Sequence, residues 1–165
     1  MSEEAAPALC IRAARESDAA ELARLSAQLG YPADARLMIE RLAQIGARTD
    51  HAVFVAENAA ADAQAAGDAA GRPPALLGWI HVAYGMRLES GESAEIVGLV
   101  VDCGMRRGGV GRQLVEAAER WSRAAGLERI VVRSNAARTE AHSFYPALGY
   151  VLTKTQRVYG RPLAG

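Results

Sequence analysis

Three arginines and three glycines crowd into one short run, Arg106-Arg107-Gly108-Gly109-Val110-Gly111-Arg112. Glycine lets a backbone approach an anion with no Cβ in the way, and arginine raises the local potential. A phosphate is the ligand such a run suits if a helix begins inside it. The first N–H groups of a helix have no intrahelical acceptor and lie at the positive end of its dipole. Two further side chains could move protons. Glu95 sits in an otherwise apolar run, where desolvation would lift a carboxyl toward the pKa of a general base. Tyr145 is a weak acid on a segment with helical spacing.

The flanking residues supply what the glycine run needs. Glu95 to Val101 are mostly apolar and β-branched, which predicts a buried strand before it. After it Val110, Leu114, Ala117, Ala118, Trp121 and Ala125 recur at helical spacing. A Walker loop would need Lys-Ser or Lys-Thr after the last glycine, and Arg112-Gln113 stands there. A dinucleotide fingerprint would need G-x-G-x-x-G directly after the strand, whereas Cys103 to Arg106 intervene and Leu114 takes the last glycine's place.

The remaining chain predicts alternating elements. Ala8 to Ala13 reads as a strand, with Ser17 as helix N-cap and Leu22, Leu25 and Leu29 as the helix face up to Gly30. Ala35, Met38, Leu42 and Ile45 mark a second helix. His51 to Glu57, Ala75 to Met86 and Ser93 to Asp102 read as strands. Residues 58–74, rich in alanine with Gly67, Gly71 and Pro73-Pro74, read as a flexible loop within a single domain spanning residues 1–165. Arg129 to Ser134 is a further strand, parallel to its predecessor through the helical crossover. A helix from Arg138 to Leu148 follows, then short strands at Tyr150 to Thr155 and Arg157 to Pro162.

With the strand and helix around it, Arg106-x-x-Gly109-x-Gly111 resembles the R/Q-x-x-G-x-G/A signature of the GNAT family of N-acetyltransferases. A second block, Asn135-x-x-Arg138-x-x-Ala141-His142-x-Phe144-Tyr145 with Gly149-Tyr150, is similar to that family's C-terminal motif. The form with Arg138 and Ala141-His142 is common among members that acetylate small amines. The resemblance covers nearly the whole chain. It implies an α+β (α/β/α) fold: a mixed, strongly twisted sheet of six to seven strands and about four helices, ordered β-α-α-β-β-β-α-β-α-β-β.

What the resemblance implies for function is an enzyme moving an acetyl group from acetyl-coenzyme A directly to a primary amine of a small molecule, in a ternary complex. Leu99, Val100 and Val101 would run alongside the pantetheine, with the Val101 N–H on the thioester oxygen. The amides of Arg107, Gly108, Gly109, Val110, Gly111 and Arg112 would hold the pyrophosphate, with Arg106 beside them. Asn135, Arg138 and His142 would assist on the cofactor. Glu95 would be the base, and Tyr145 would stabilise the leaving thiolate. The acceptor pocket would draw on Tyr31, Asp34, Tyr84, Glu89 and Glu92, an acidic and aromatic set suited to a cationic amine, and His81 would face either that pocket or the outer surface. Family members often dimerise, so a homodimer with exchanged or paired final strands is compatible with the resemblance. The rival readings are a protein or peptide N-acetyltransferase and a non-catalytic coenzyme A-binding regulatory module.

Composition sets outer bounds. Acidic and basic residues balance at 19 each, which does not favour a nucleic acid or anionic membrane partner. Cys10 and Cys103 make no disulfide framework, and three dispersed histidines make no metal site. MSEEAAPA lacks a signal peptide's basic and apolar regions. The expected location is the cytoplasm.

Overall fold

The computed structural model describes residues 8–59 and 75–164, so the loop expected at 58–74 lies almost wholly outside the described residues. The chain forms two compact units that meet in sequence between Arg133 and Ser134.

The larger unit is built on five strands: β1 (Leu9–Ala13), β2 (His51–Asn58), β3 (Leu76–Arg87), β4 (Gly91–Val101) and β5 (Ile130–Val132). They lie side by side in chain order. β1 to β4 are antiparallel neighbours, and β5 joins β4 in parallel. Helices α1 (Ala19–Gln28) and α2 (Ala35–Gly46) link β1 to β2, and α3 (Val110–Ala124) links β4 to β5. This matches the fold class expected from the sequence.

The two faces of the sheet follow from the period of a strand, since successive side chains point opposite ways. On β3, a Cβ at Gly78 would stand 3.1 Å from Leu114 of α3. The next residue, Trp79, packs instead against the cluster of Leu22, Leu25, Val55, Leu76 and Val100 under α1. A Cβ at Gly78 would also sit 2.6 Å from the Val100 carbonyl oxygen of β4, so no side chain fits at this position without a shift. The helical stripe of α3 is buried as its spacing predicts: Val110, Leu114, Val115, Ala117 and Ala118 are nearly or wholly inaccessible. Each large aliphatic side chain so buried contributes about 1.5–3 kcal/mol.

Polar side chains tie the elements together. Arg12 of β1 bridges Asp18 at 2.8 Å and Glu57 of β2 at 2.8 Å. Asp18 also accepts the Arg15 amide at 2.7 Å. Burial alone would push its carboxyl up, but the Arg12 hydrogen bonds and the Arg15 amide hold it below the usual range. Residues 16–18 therefore make a 3₁₀ turn and α1 begins at Ala19. Asp18, not Ser17, is the side chain that organises this helix start.

The smaller unit carries α4 (Thr139–Ala147) and ends it with Gly149 at φ +92°. Residues 150–164 contain no strand. The two strands expected at Tyr150 to Thr155 and Arg157 to Pro162 are thus corrected, and the sheet among the described residues has five strands rather than six or seven. Val151, Leu152, Val158 and Tyr159 are largely exposed. Alternating apolar residues give a segment strand character, but a strand exists only where a neighbour completes its hydrogen bonds. No helix among the described residues is long and apolar enough to cross a membrane.

Candidate active site

The site is laid out by an irregularity in β4. Along β3 and β4, His81 pairs with Gly98 and Val82 with Ile96, which leaves Val97 as a bulge. Beside it, β5 pairs with β4 only over Ala94 to Ile96. From Val97 to Val101 that side of β4 faces no strand among the described residues of the larger unit. An open strand edge offers alternating N–H and C=O groups to an extended ligand. Leu99, Val100 and Val101, the residues expected along the pantetheine, lie on this segment.

The strand then feeds the glycine loop through an anchored turn. Asp102 accepts the Gly104 amide at 3.0 Å. It is also held by Arg24 of α1, which donates in addition to the Leu76 carbonyl at 3.0 Å. Gln28 accepts the Cys103 amide at 3.0 Å. These α1 residues fix the end of β4 relative to the start of β3. Nothing in the local spacing pointed to them, because their partners lie more than fifty residues away in sequence.

In the loop, Arg107 has φ +70° and Gly109 has φ +79°. Left-handed residues interleaved with ordinary ones turn successive N–H groups toward one point, the geometry of an anion nest. Gly109 is the N-cap of α3. The first bond of that end of α3 runs from the Gln113 amide to the Gly109 carbonyl at 3.1 Å. The preceding amides of Val110, Gly111 and Arg112 therefore have no backbone acceptor among the described residues. Among the described residues, the Gly108 amide of the expected set closes a turn onto Met105 at 3.4 Å. Arg106, Arg107 and Arg112 are all exposed around this nest.

Glu95 does not stand in apolar surroundings. Its two carboxylate oxygens are each engaged at 2.7 Å, one by Arg87 and the other by Arg133. What is corrected is the expected apolar surrounding, since the carboxylate is shielded from water but ion-paired on both oxygens. The run was apolar along the strand, but the guanidinium groups come from β3 and from beyond β5.

A cavity of about 330 Å³ opens between α1, α2 and the sheet. Leu22, Met38 and Leu42 from the helices and Val53, Trp79 and Val97 from the strands make it mainly apolar. Ser26, Tyr31, Arg41 and His81 are its polar lining. Of the expected acceptor-pocket residues, Tyr31 and His81 line it, while Asp34, Tyr84, Glu89 and Glu92 do not. Asp34 caps α2 by accepting the Leu37 amide at 2.8 Å. Desolvation, and then the charge and hydrogen bond of Glu92, raise the pKa of Tyr84.

His81 contacts His51 across β2 and β3, with Nδ1 of His51 2.8 Å from Nε2 of His81. Asp50 lies on the far side of His51, 3.8 Å from its Nε2. Burial and the neighbouring His51 lower the pKa of His81 to about 4, so it is neutral at pH 7. Two of the three dispersed histidines are thus brought together. No group of three or more metal-ligating side chains is found among the described residues.

The second motif belongs to the smaller unit. Asn135 Oδ1 accepts the Ala137 amide at 2.9 Å, shaping the turn that leads into α4 at Arg138. His142 is exposed. Tyr145 packs edge-on against Phe144 and Tyr150, at 5.0 and 5.6 Å between ring centroids. Burial pushes its phenol up to about 12.

Comparison with known proteins agrees with this architecture. Residues 19–150 match the model of the acetyltransferase (GNAT) family. The chain is 32% identical to aminoglycoside N(6')-acetyltransferase type 1 of Stenotrophomonas maltophilia over 96% of both chains. Its fold is similar to that of aminoglycoside 6'-N-acetyltransferase AAC(6')-Ih from Acinetobacter baumannii, at 15% identity and TM-score 0.75, covering 94% of this chain and 99% of that one. It is also similar to glucosamine-6-phosphate N-acetyltransferase from Arabidopsis thaliana, at 18% identity and TM-score 0.74, covering 92% and 97%. The chain belongs to the GNAT acetyltransferase family of acetyl-coenzyme A-dependent N-acetyltransferases.

The residues present fit that cofactor. A diphosphate needs converging donors, and the nest with three acceptor-less amides supplies them. A pantetheine amide chain needs an open strand edge, and β4 has one beyond Ile96.

Proposed function

We propose that this protein acetylates a primary amine of a small molecule by direct transfer within a ternary complex. The observation that carries this reading is the cavity reaching the β4 bulge at Val97 and Gly98, beside the open strand edge that fits the pantetheine. An amine in that space could attack a thioester lying along β4. Acetyl-coenzyme A, when bound, supplies the activated acyl group. Arg107 to Arg112 would hold its diphosphate through the main chain. The Val101 N–H would donate to the carbonyl oxygen as negative charge develops there. Confining both reactants replaces an encounter with a positioned contact. Asn135, Arg138 and His142 remain proposed cofactor contacts.

An ammonium must lose a proton before its lone pair can attack. Glu95 is one proposed acceptor, and it would first have to loosen a contact with Arg87 or Arg133. A second reading is favoured by the cavity lining, which includes His81 and not Glu95. If Nε2–H of His81 donates to Nδ1 of His51, Nδ1 of His81 is left as a proton acceptor. Burial leaves this ring a weak base, so a proton taken there has to be balanced by release through His51 toward Asp50. On this reading His81→Gln lowers kcat by about a hundredfold and Glu95→Gln lowers it less. The reverse ranking returns the role to Glu95.

Tyr145 is proposed to hydrogen-bond the departing thiolate. Its raised pKa argues against full proton transfer to sulfur, whose thiol is a much stronger acid. Tyr145→Phe should reduce kcat with KM nearly unchanged; an unaltered kcat would leave the residue a packing role only. The free cysteines are compatible with a proposed cytoplasmic location. The exposed apolar residues of segment 150–164 support a proposed homodimer, testable by sedimentation.

A further inference from the structure

The cavity identifies its occupant by what its wall lacks. Among the described lining residues there is no carboxylate, and Arg41 is the one that carries formal charge at neutral pH. His81 adds a neutral ring. The acidic residues expected to draw in a cation do not line it: Asp34 caps α2, Glu92 interacts with Tyr84, and Glu89 is exposed to solvent.

We infer that the acceptor is a compact primary monoamine with an apolar or aromatic body, and that Arg41 selects against polycationic amines such as aminoglycosides. This inference rests on the acetyl-transfer reading above and names the substrate class of the same site.

Three physical terms point the same way. Each ammonium taken from water into an apolar space without a counter-charge carries a heavy desolvation cost, and a polycation incurs it several times. Arg41 adds like-charge repulsion. An apolar body gains from Leu22, Met38, Leu42 and Trp79 in proportion to the area it buries. The volume, about 330 Å³, lies at the small end of the roughly 300–1,000 Å³ range of small-molecule sites.

Trp79 gives this wall its shape. A Cβ at Gly98 would come within 2.7 Å of the Trp79 ring, so the bare glycine is what lets the indole lie against the β4 bulge. An aromatic surface is thereby held where the attacking nitrogen has to arrive. A monoamine also suits the chemistry. Its single ammonium is destabilised by the same apolar wall, which favours the neutral form that attacks.

The test compares phenethylamine with neamine, a polycationic aminoglycoside, on the full chain. Thiol release from acetyl-coenzyme A gives turnover, and calorimetry in the presence of coenzyme A gives binding. The expected kcat/KM for phenethylamine exceeds that for neamine by at least about tenfold. Arg41→Glu should raise the neamine value by about tenfold. Ile45→Trp, which fills the cavity, should weaken phenethylamine binding at least about tenfold; retained acetyl-coenzyme A binding would show that this variant folds.

Preference for neamine, or no saturable phenethylamine binding, overturns the substrate class. The acetyl-transfer reading survives the first of those results, because thiol is still released. Saturable phenethylamine binding that Ile45→Trp removes, without thiol release from any amine, upholds the class and overturns the transfer.

Discussion

His81 meets the cavity as a neutral ring because burial and His51 both disfavour its charged form. That has a consequence for stability with a definite sign. In the unfolded chain the imidazole binds a proton near pH 6.5, whereas in the folded chain it does so near pH 4. Between these values the unfolded state holds more protons, so stability falls as pH drops from about 6.5 to about 4. Asp18 and Asp102, whose pKa values are lowered from 3.8, contribute stability that is lost only at more acidic pH. Denaturant unfolding at intervals across the upper window should show the loss, and His81→Gln should flatten it. An unchanged slope in the variant would place its origin elsewhere. At this scale residue types were legible and residue environments were not. Glu95 was identifiable as a lone carboxylate in an apolar strand, yet Arg87 and Arg133 reach it across neighbouring strands, where linear spacing carries no signal. Asp34 was legible as acidic, but its capping bond depends on where α2 begins.

The glycine loop is the element that most constrains the site. Its pattern was readable in full, since strand, glycines and apolar helix each have their own period or composition. Arg107 at φ +70° was not readable, because nothing in an arginine announces a left-handed backbone. Gly109 at φ +79° is the matching requirement, and a Cβ there would meet no atom within 4 Å. Gly109→Ala therefore tests backbone conformation without a clash. It should cost about 1 kcal/mol of stability and weaken acetyl-coenzyme A binding as the nest relaxes. Equal affinity in the variant would show that the left-handed turn is dispensable. The bulge in β4 had no sequence signal either, since Val97-Gly98 continues a plausible strand. The expected strands after Tyr150 failed for a related reason: apolar alternation describes one strand and is silent about the strand beside it.

Over the whole molecule, elements distant in sequence converge on one end of β4. Arg24 and Gln28 of α1 hold its exit, β5 stops short of it, α3 starts just beyond it, and the cavity opens at its bulge. The order of elements as far as α4 and the fold class followed from periodicity and motif resemblance, since both depend on patterns along the chain. The character of the acceptor space did not, because its wall is assembled from α1, α2, β2, β3 and β4 together. Binding of acetyl-coenzyme A by the main chain at Arg107 to Arg112 underlies everything proposed for the amine. Calorimetric titration of the full chain with acetyl-coenzyme A measures it directly. Saturable binding at one site per chain, weakened in Gly109→Ala, is the expected result; no saturation would contradict it.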